Sequence, residues 1–227
     1  MDRVILDCTK DNIEQQKNRF FVEGDPAAIL LVELRGATEA EALMKAEAII
    51  NDLQAVPLGY AFPIIKAPKT KNVWNLRQAG LGLLSNIPGD AKAVACIEDT
   101  AVELDDLPAY IAEFDQLMEG FGQKAVYYAH AGAGEIHLRP ILDLKKKKDV
   151  ELLRQICTAS ARLIKKYKGS LSGEHGDGRV RAEFIPLMIG EKNYALLKKI
   201  KQTWDPQNIF NPGKIIDPAP MDTSLRY

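Results

Sequence analysis

The sequence predicts an α+β fold: a largely antiparallel sheet with helices packed on one face, built from ferredoxin-like repeats. Three observations lead there. Segments of strand and helix character alternate along the chain. Two strands, 125–129 and 136–142, are separated by a short glycine-rich turn and so pair antiparallel. The order strand, helix, strand recurs loosely, which favours helices on one face over a doubly wound parallel sheet.

The elements follow in order. The apolar run 28–34 reads as a buried strand ending at Arg35-Gly36. Thr38 then caps a helix, with Glu41 completing a capping box. Ala42, Leu43, Ala46, Ile49, Ile50 and Leu53 keep helical period through it. Residues 60–65 form a short strand, 71–84 a helix despite Gly80 and Gly82, and 91–97 another strand. Asp105 or Asp106 caps a helix with Leu107, Ile111, Phe114 and Leu117 on one face. After the two paired strands, Asp149 opens the longest helix, with Val150, Leu153, Ile156, Ala159 or Ser160, Leu163 or Ile164, and Tyr167 in register. The glycine-rich stretch 169–178 is a loop. A helical segment near 194–201 and a proline-rich tail close the chain.

Composition excludes several classes. The chain has 227 residues, 46% of them hydrophobic, which is enough for a real core. A net charge of −1 gives no basic footprint for nucleic acid. The run Lys145-Lys146-Lys147-Lys148 precedes Asp149 and Glu151 and reads as a solvated helix entrance. Three scattered cysteines, Cys8, Cys96 and Cys157, have no CxxC spacing, so they encode no zinc ribbon or cysteine-held cluster and suggest a reducing, cytoplasmic setting. No apolar run has transmembrane length, so no direct membrane insertion is expected. Neither a GxGxxG after a strand nor a P-loop is present.

All three histidines fall in two glycine-rich stretches, His130 and His137 within 128–140 and His175 within 172–179. Histidine is both the commonest metal ligand and the natural proton carrier near neutral pH. A hairpin centred on Ala133-Gly134 sets His130 directly opposite His137, where facing Cβ atoms lie about 4.5–5.5 Å apart. Val126, Tyr128, Arg139 and Ile141 share that face. Tyr128 becomes a candidate substrate contact there, while Tyr127, Ala129, Ala131, Ile136 and Leu138 turn to the core. Glu174 supplies a third ligand, with Asp177 as an alternative, and His175 points at the substrate as a base. Two imidazoles and one carboxylate make an open, catalytic metal site. The donor set suits zinc or manganese ahead of iron.

Five motifs occur together in this order: Val73-Trp74-Asn75-Leu76-Arg77, Ile97-Glu98-Asp99-Thr100-Ala101-Val102, the two histidine stretches, and Phe210-Asn211-Pro212-Gly213-Lys214-Ile215. From about Ala28 to Ile216 the chain resembles the C-terminal, substrate-side domain of FAD-linked oxidases of the vanillyl-alcohol-oxidase type. The likeness is strongest to the D-2-hydroxyacid dehydrogenase branch, which includes the glycolate oxidase FAD subunit, D-lactate dehydrogenase and D-2-hydroxyglutarate dehydrogenase. It implies that residues 1–227 form one such domain, the N-terminal FAD-binding domain being absent from this chain. It implies a metal on His130, His137 and Glu174, and His175 as acceptor of the substrate hydroxyl proton. It implies Arg77 on the substrate carboxylate, Arg139 also on the substrate, and Asn211 and Lys214 beside the flavin ring. Arg139 as a second cation suits a dicarboxylate.

The implied activity is flavin-dependent oxidation of a small D-2-hydroxy acid to its 2-oxo acid, with this chain alone inactive. The implied partners are an FAD-binding domain or subunit and, as in large bacterial members, an iron–sulfur electron-transfer unit. One departure is Glu103, where members commonly carry proline. Two other readings remain: a flavin-independent metallohydrolase on the same ligands, and a docking domain with a vestigial site.

Overall fold

The computed structural model describes residues 1–225, apart from the side chain of Leu81. The chain forms two compact units, Met1–Leu84 and a second from Ser85 onward.

The first unit is helical. Helix α1 (Arg3–Lys10) starts at Asp2, whose side chain accepts from the Ile5 amide, and it buries Ile5, Leu6 and Thr9. A single turn, α2 (Ile13–Gln16), follows. Helix α3 (Glu39–Gln54) begins as the capping pattern predicts: Thr38 Oγ1 accepts from the Glu41 amide at 3.2 Å. The Glu41 carboxylate returns one residue further out, to the Ala37 amide. Helix α4 (Thr70–Leu83) packs on α1, and Gly80 is required there because a Cβ would sit 2.6 Å from Ile5 Cγ2. Phe21, Val73 and Leu76 make a small core.

The second unit carries the sheet. Its strands are β1 (Lys92–Ala93) and β2 (Ile97–Ala101), then β3 (Ala125–His130) and β4 (Glu135–Leu142) beyond helix α5 (Leu107–Gly120). Strand β4 is central, with β3 antiparallel on one edge and β1 and β2 antiparallel on the other. Helix α6 (Lys147–Lys166) packs with α5 over it. Tyr110, Phe114 and Met118 of α5 meet Leu153, Ile156, Ala161 and Ile164 of α6 and Ile97, Ile136 and Leu138 of the sheet in one core. The α6 face agrees with the predicted register. On α5 the buried stripe runs through Tyr110, and Leu107, Ile111 and Leu117 lie at its margin. The chain continues through α7 (Gly178–Arg181), α8 (Ile185–Ile189) and α9 (Glu191–Trp204). Among the described residues, no helix is long and apolar enough to cross a membrane.

The expected fold class needs correction. The fold is mixed α+β with an open antiparallel sheet, but helix makes up 50% and strand only 11%. The sheet is not dominant, and a ferredoxin-like repeat is not formed in the first unit. The reason is local. Segments 28–34 and 60–65 have strand character yet form no ladder; Leu30 is 78% exposed, and among the described residues the only bridge there joins Asp2 to Ala28. The predicted strand 91–97 divides into β1 and the start of β2. The C-terminal quarter adds three helices where the periodicity indicated one.

Candidate active site

The β3–β4 hairpin builds the first half of the site. A 3-10 turn, Ala131–Ala133, leads to Gly134 at φ 69°, a conformation favourable only to glycine. A Cβ on Gly134 would stand 2.1 Å from the Val102 carbonyl oxygen. This turn pairs His130 with Glu135 and Tyr128 with His137, two residues from the expected register. Because side chains alternate with period two, that offset leaves every residue on its predicted face. His130 and His137 become diagonal neighbours, with ring centroids 5.4 Å apart and nearly perpendicular planes. Glu135 takes the place opposite His130. The face is also less open than predicted, since Val126, Tyr128 and His137 are all buried. The Tyr128 ring lies 5.6 Å from that of His137.

Asp99 builds the second half. Its backbone is left-handed (φ 74°), and its side chain is fully buried. The carboxylate accepts from the Ser172 hydroxyl at 2.5 Å and from the amides of Glu174 and His175 at 2.7 and 2.8 Å. Its carbonyl accepts from the Gly173 amide. One aspartate thus fixes the loop that presents Glu174 and His175. Gly173 is needed where the loop crosses, since a Cβ would lie 3.0 Å from Asp99 Oδ1 and 3.1 Å from Glu135 Cδ.

The two halves converge. Glu174 Oε1 is 3.5 Å from His130 Nε2 and 3.6 Å from His175 Nε2. One ligand atom each from His130, Glu135, His137 and Glu174 lie within 4.8 Å of one another. Glu98, His137 and His175 form a second such group. His175 stands 5.8 Å, ring to ring, from His137 and is half-exposed.

These residues fit a cation. Glu135 Oε1 and His137 Nδ1 are buried without a hydrogen-bond partner, although buried polar atoms are nearly always satisfied. Burial lowers the His137 pKa, with Glu98 acting against it, and this favours the neutral imidazole a metal needs. Burial opposes ionisation of Asp99, but hydrogen bonds from Glu135, Ser172 and the loop amides hold its carboxyl well below the usual range. The hydrogen bond to Asp99 and burial push Glu135 up to about 7.

The remaining predicted residues are placed as follows. Arg139 Nε donates to Glu98 Oε2 at 2.7 Å, and a second donor reaches Oε1 of the same carboxylate. Glu98 Oε1 also lies 3.5 Å from His137 Nδ1. Arg77 is on α4 of the first unit, its guanidinium 5.8 Å from the Trp74 ring centre. Asn211, at φ 48°, and Lys214 lie on the segment after α9. Glu98, Asp99 and Glu135 were given no role from sequence. The signal in the sequence is their place inside the motifs, Glu98 and Asp99 in 97–102 and Glu135 in the histidine stretch 128–140.

A cleft of about 290 Å³ opens beside His175, lined also by Glu98, Asp177, Arg179 and Arg181. Burial raises the Asp177 pKa, while Arg181 pulls it down.

Comparison with known proteins identifies the family. Residues 1–215 match the model of the family described as FAD linked oxidases, C-terminal domain. This chain belongs to that family. The FAD-linked oxidase domain is 36% identical over 224 residues to D-2-hydroxyglutarate dehydrogenase of Pseudomonas putida, covering 95% of the chain and 22% of that protein. It is 39% identical over 155 residues to the enzyme of the same name from Escherichia coli, covering 68% of the chain and 15% of the relative. It is 25% identical over 190 residues to glycolate oxidase subunit GlcD of Bacillus subtilis, covering 83% and 39%. The domain therefore spans about a fifth of the length of the first of these relatives.

Proposed function

We propose that this domain is the substrate- and metal-binding part of a flavin-dependent dehydrogenase that oxidises a D-2-hydroxy acid to the 2-oxo acid. The observation that carries the reading is the convergence of His130, His137, Glu135 and Glu174 on one point, with His175 beside them. The names of the relatives, D-2-hydroxyglutarate dehydrogenase and glycolate oxidase subunit, support the reaction class.

His130, His137 and Glu174 would hold a divalent ion, zinc or manganese ahead of iron. FAD is held mainly by a separate domain or subunit, with Asn211 and Lys214 on its ring side, and an iron–sulfur unit is a further partner. Bound in place, the metal supplies Lewis acidity that lowers the pKa of an α-hydroxyl, and the flavin supplies the two-electron acceptor.

The chain's own residues do the rest. Arg77 binds the substrate carboxylate and fixes its orientation. Tyr128 and Arg139 shape the face on which the substrate rests, Arg139 being braced by Glu98. His175 Nε2 accepts the hydroxyl proton, and Glu174 at 3.6 Å steadies the resulting imidazolium. Asp99 keeps both loop residues in position through their amides. The three free cysteines support a reducing, cytoplasmic setting.

The test is turnover of D-2-hydroxy acids by the complete, flavin-loaded protein with a dye as electron acceptor. Activity should vanish on chelation and return with zinc or manganese. Undiminished turnover after metal removal, or ester hydrolysis without an acceptor, would refute the reading.

A further inference from the structure

The charges around the cleft beside His175 do not cancel. Glu98 carries its own cation, the doubly bonded Arg139. Asp177 stands in the field of Arg181. Arg181 is buried, and its two terminal nitrogens donate to the carbonyls of Glu98 and Gly176. Arg179 is different. It lines the cleft from an exposed position on α7, and among the described residues it makes no hydrogen bond or ion pair. Arg139, Arg179 and Arg181 thus set three guanidiniums against two acids, Glu98 and Asp177, and among the described residues Arg179 is the one of the three with no bond.

The cleft is small, about 290 Å³, at the lower end for ligand pockets and suited to a small organic acid. His175 is a wall of both this cleft and the ligand cluster. A molecule with its hydroxyl at His175 has this cleft as the space for its tail. Gly176 and Gly178 carry no side chains, so nothing stands on those backbone positions between His175 and Arg179. A planar guanidinium matches the two oxygens of a carboxylate.

We propose that Arg179 binds the side-chain carboxylate of a dicarboxylic 2-hydroxy acid and selects such acids over monocarboxylic ones. This inference rests on the hydroxy-acid reading above and names its substrate class.

The experiment compares wild type, Arg179→Ala and Arg179→Lys in the complete, flavin-loaded protein, using D-2-hydroxyglutarate and D-lactate. Arg179→Ala should lower the ratio of kcat/KM for hydroxyglutarate to that for lactate by about tenfold or more, mainly through KM. Arg179→Lys should recover part of it. Inhibition by glutarate should weaken in parallel, and inhibition by butyrate much less. Equal loss on both substrates, an unchanged ratio, or a wild type that prefers lactate overturns the subsite. A wild type that oxidises neither acid overturns the hydroxy-acid reading itself, and the subsite with it. Arg179 is exposed and unpaired, so its replacement leaves the fold intact.

Discussion

The Asp99 carboxylate accepts the Glu174 backbone amide at 2.7 Å, and this bond joins the β2 strand to the loop that completes the ligand cluster. Two more donors from the same loop, the His175 amide and the Ser172 hydroxyl, end on that carboxylate. Placing a ligand therefore depends on a residue that is not itself a ligand in the proposed set. Asp99→Asn keeps the shape but replaces one acceptor oxygen with a donor facing an amide. The fold should persist by circular dichroism, while metal affinity measured by calorimetry should fall about 10- to 100-fold. Unchanged affinity would show that the loop is held by other means.

Gly134 controls the hairpin. Its φ of 69° and the 2.1 Å approach of a Cβ to the Val102 carbonyl leave no room for alanine. Gly134→Ala should cost about 2–4 kcal/mol in urea unfolding. Gly132→Ala is the control: a Cβ there meets nothing within 4 Å, and the change should be within about 0.5 kcal/mol.

Much of the site was legible in the sequence because parity protects it. The turn centre was displaced, yet a shift of two residues returns every side chain to the same face, so His130 and His137 still meet. Glu135 was hidden because the assumed register put His137, not Glu135, across from His130. Asp99 was hidden because its role is to accept one hydroxyl and two amides from residues 73 to 76 positions away, which no local pattern encodes. The failures in the fold have the same origin. Segments 28–34 and 60–65 have strand propensity, but pairing is a property of partners, and these segments form no ladder.

Glu98 and Arg139 form a nearly buried pair, their side chains 11% and 16% exposed. Glu98→Ala leaves the guanidinium without its partner and should destabilise the protein by about 3–5 kcal/mol. Adding Arg139→Met should recover a large part of that loss. A double-mutant cycle in urea measures it, and additive effects would contradict a direct coupling.

Asp205 ties down the segment that carries Asn211 and Lys214. Its buried carboxylate accepts from the Ile209 and Phe210 amides at 2.8 and 2.9 Å and pairs with Lys201. Burial opposes its ionisation, but Lys201 and the two amides win and lower its pKa from 3.8. A lowered acid contributes stability that is full above 3.8 and is lost as pH falls through the folded value. Hydrogen exchange of the Ile209 and Phe210 amides should therefore quicken, relative to neighbouring amides, as pH drops below 3.8. Asp205→Asn should show the quickened exchange at every pH. A wild-type profile with no acid dependence would contradict the tie.

The most direct test of the account is the metal content of the complete protein. Calorimetric titration of the metal-stripped protein with zinc and with manganese should give one tight divalent ion per chain. His137→Ala should abolish that binding while the melting curve still shows a folded protein. Failure of both ions to bind the wild type, or equal binding after His137→Ala, would contradict the claim that these side chains form a metal centre.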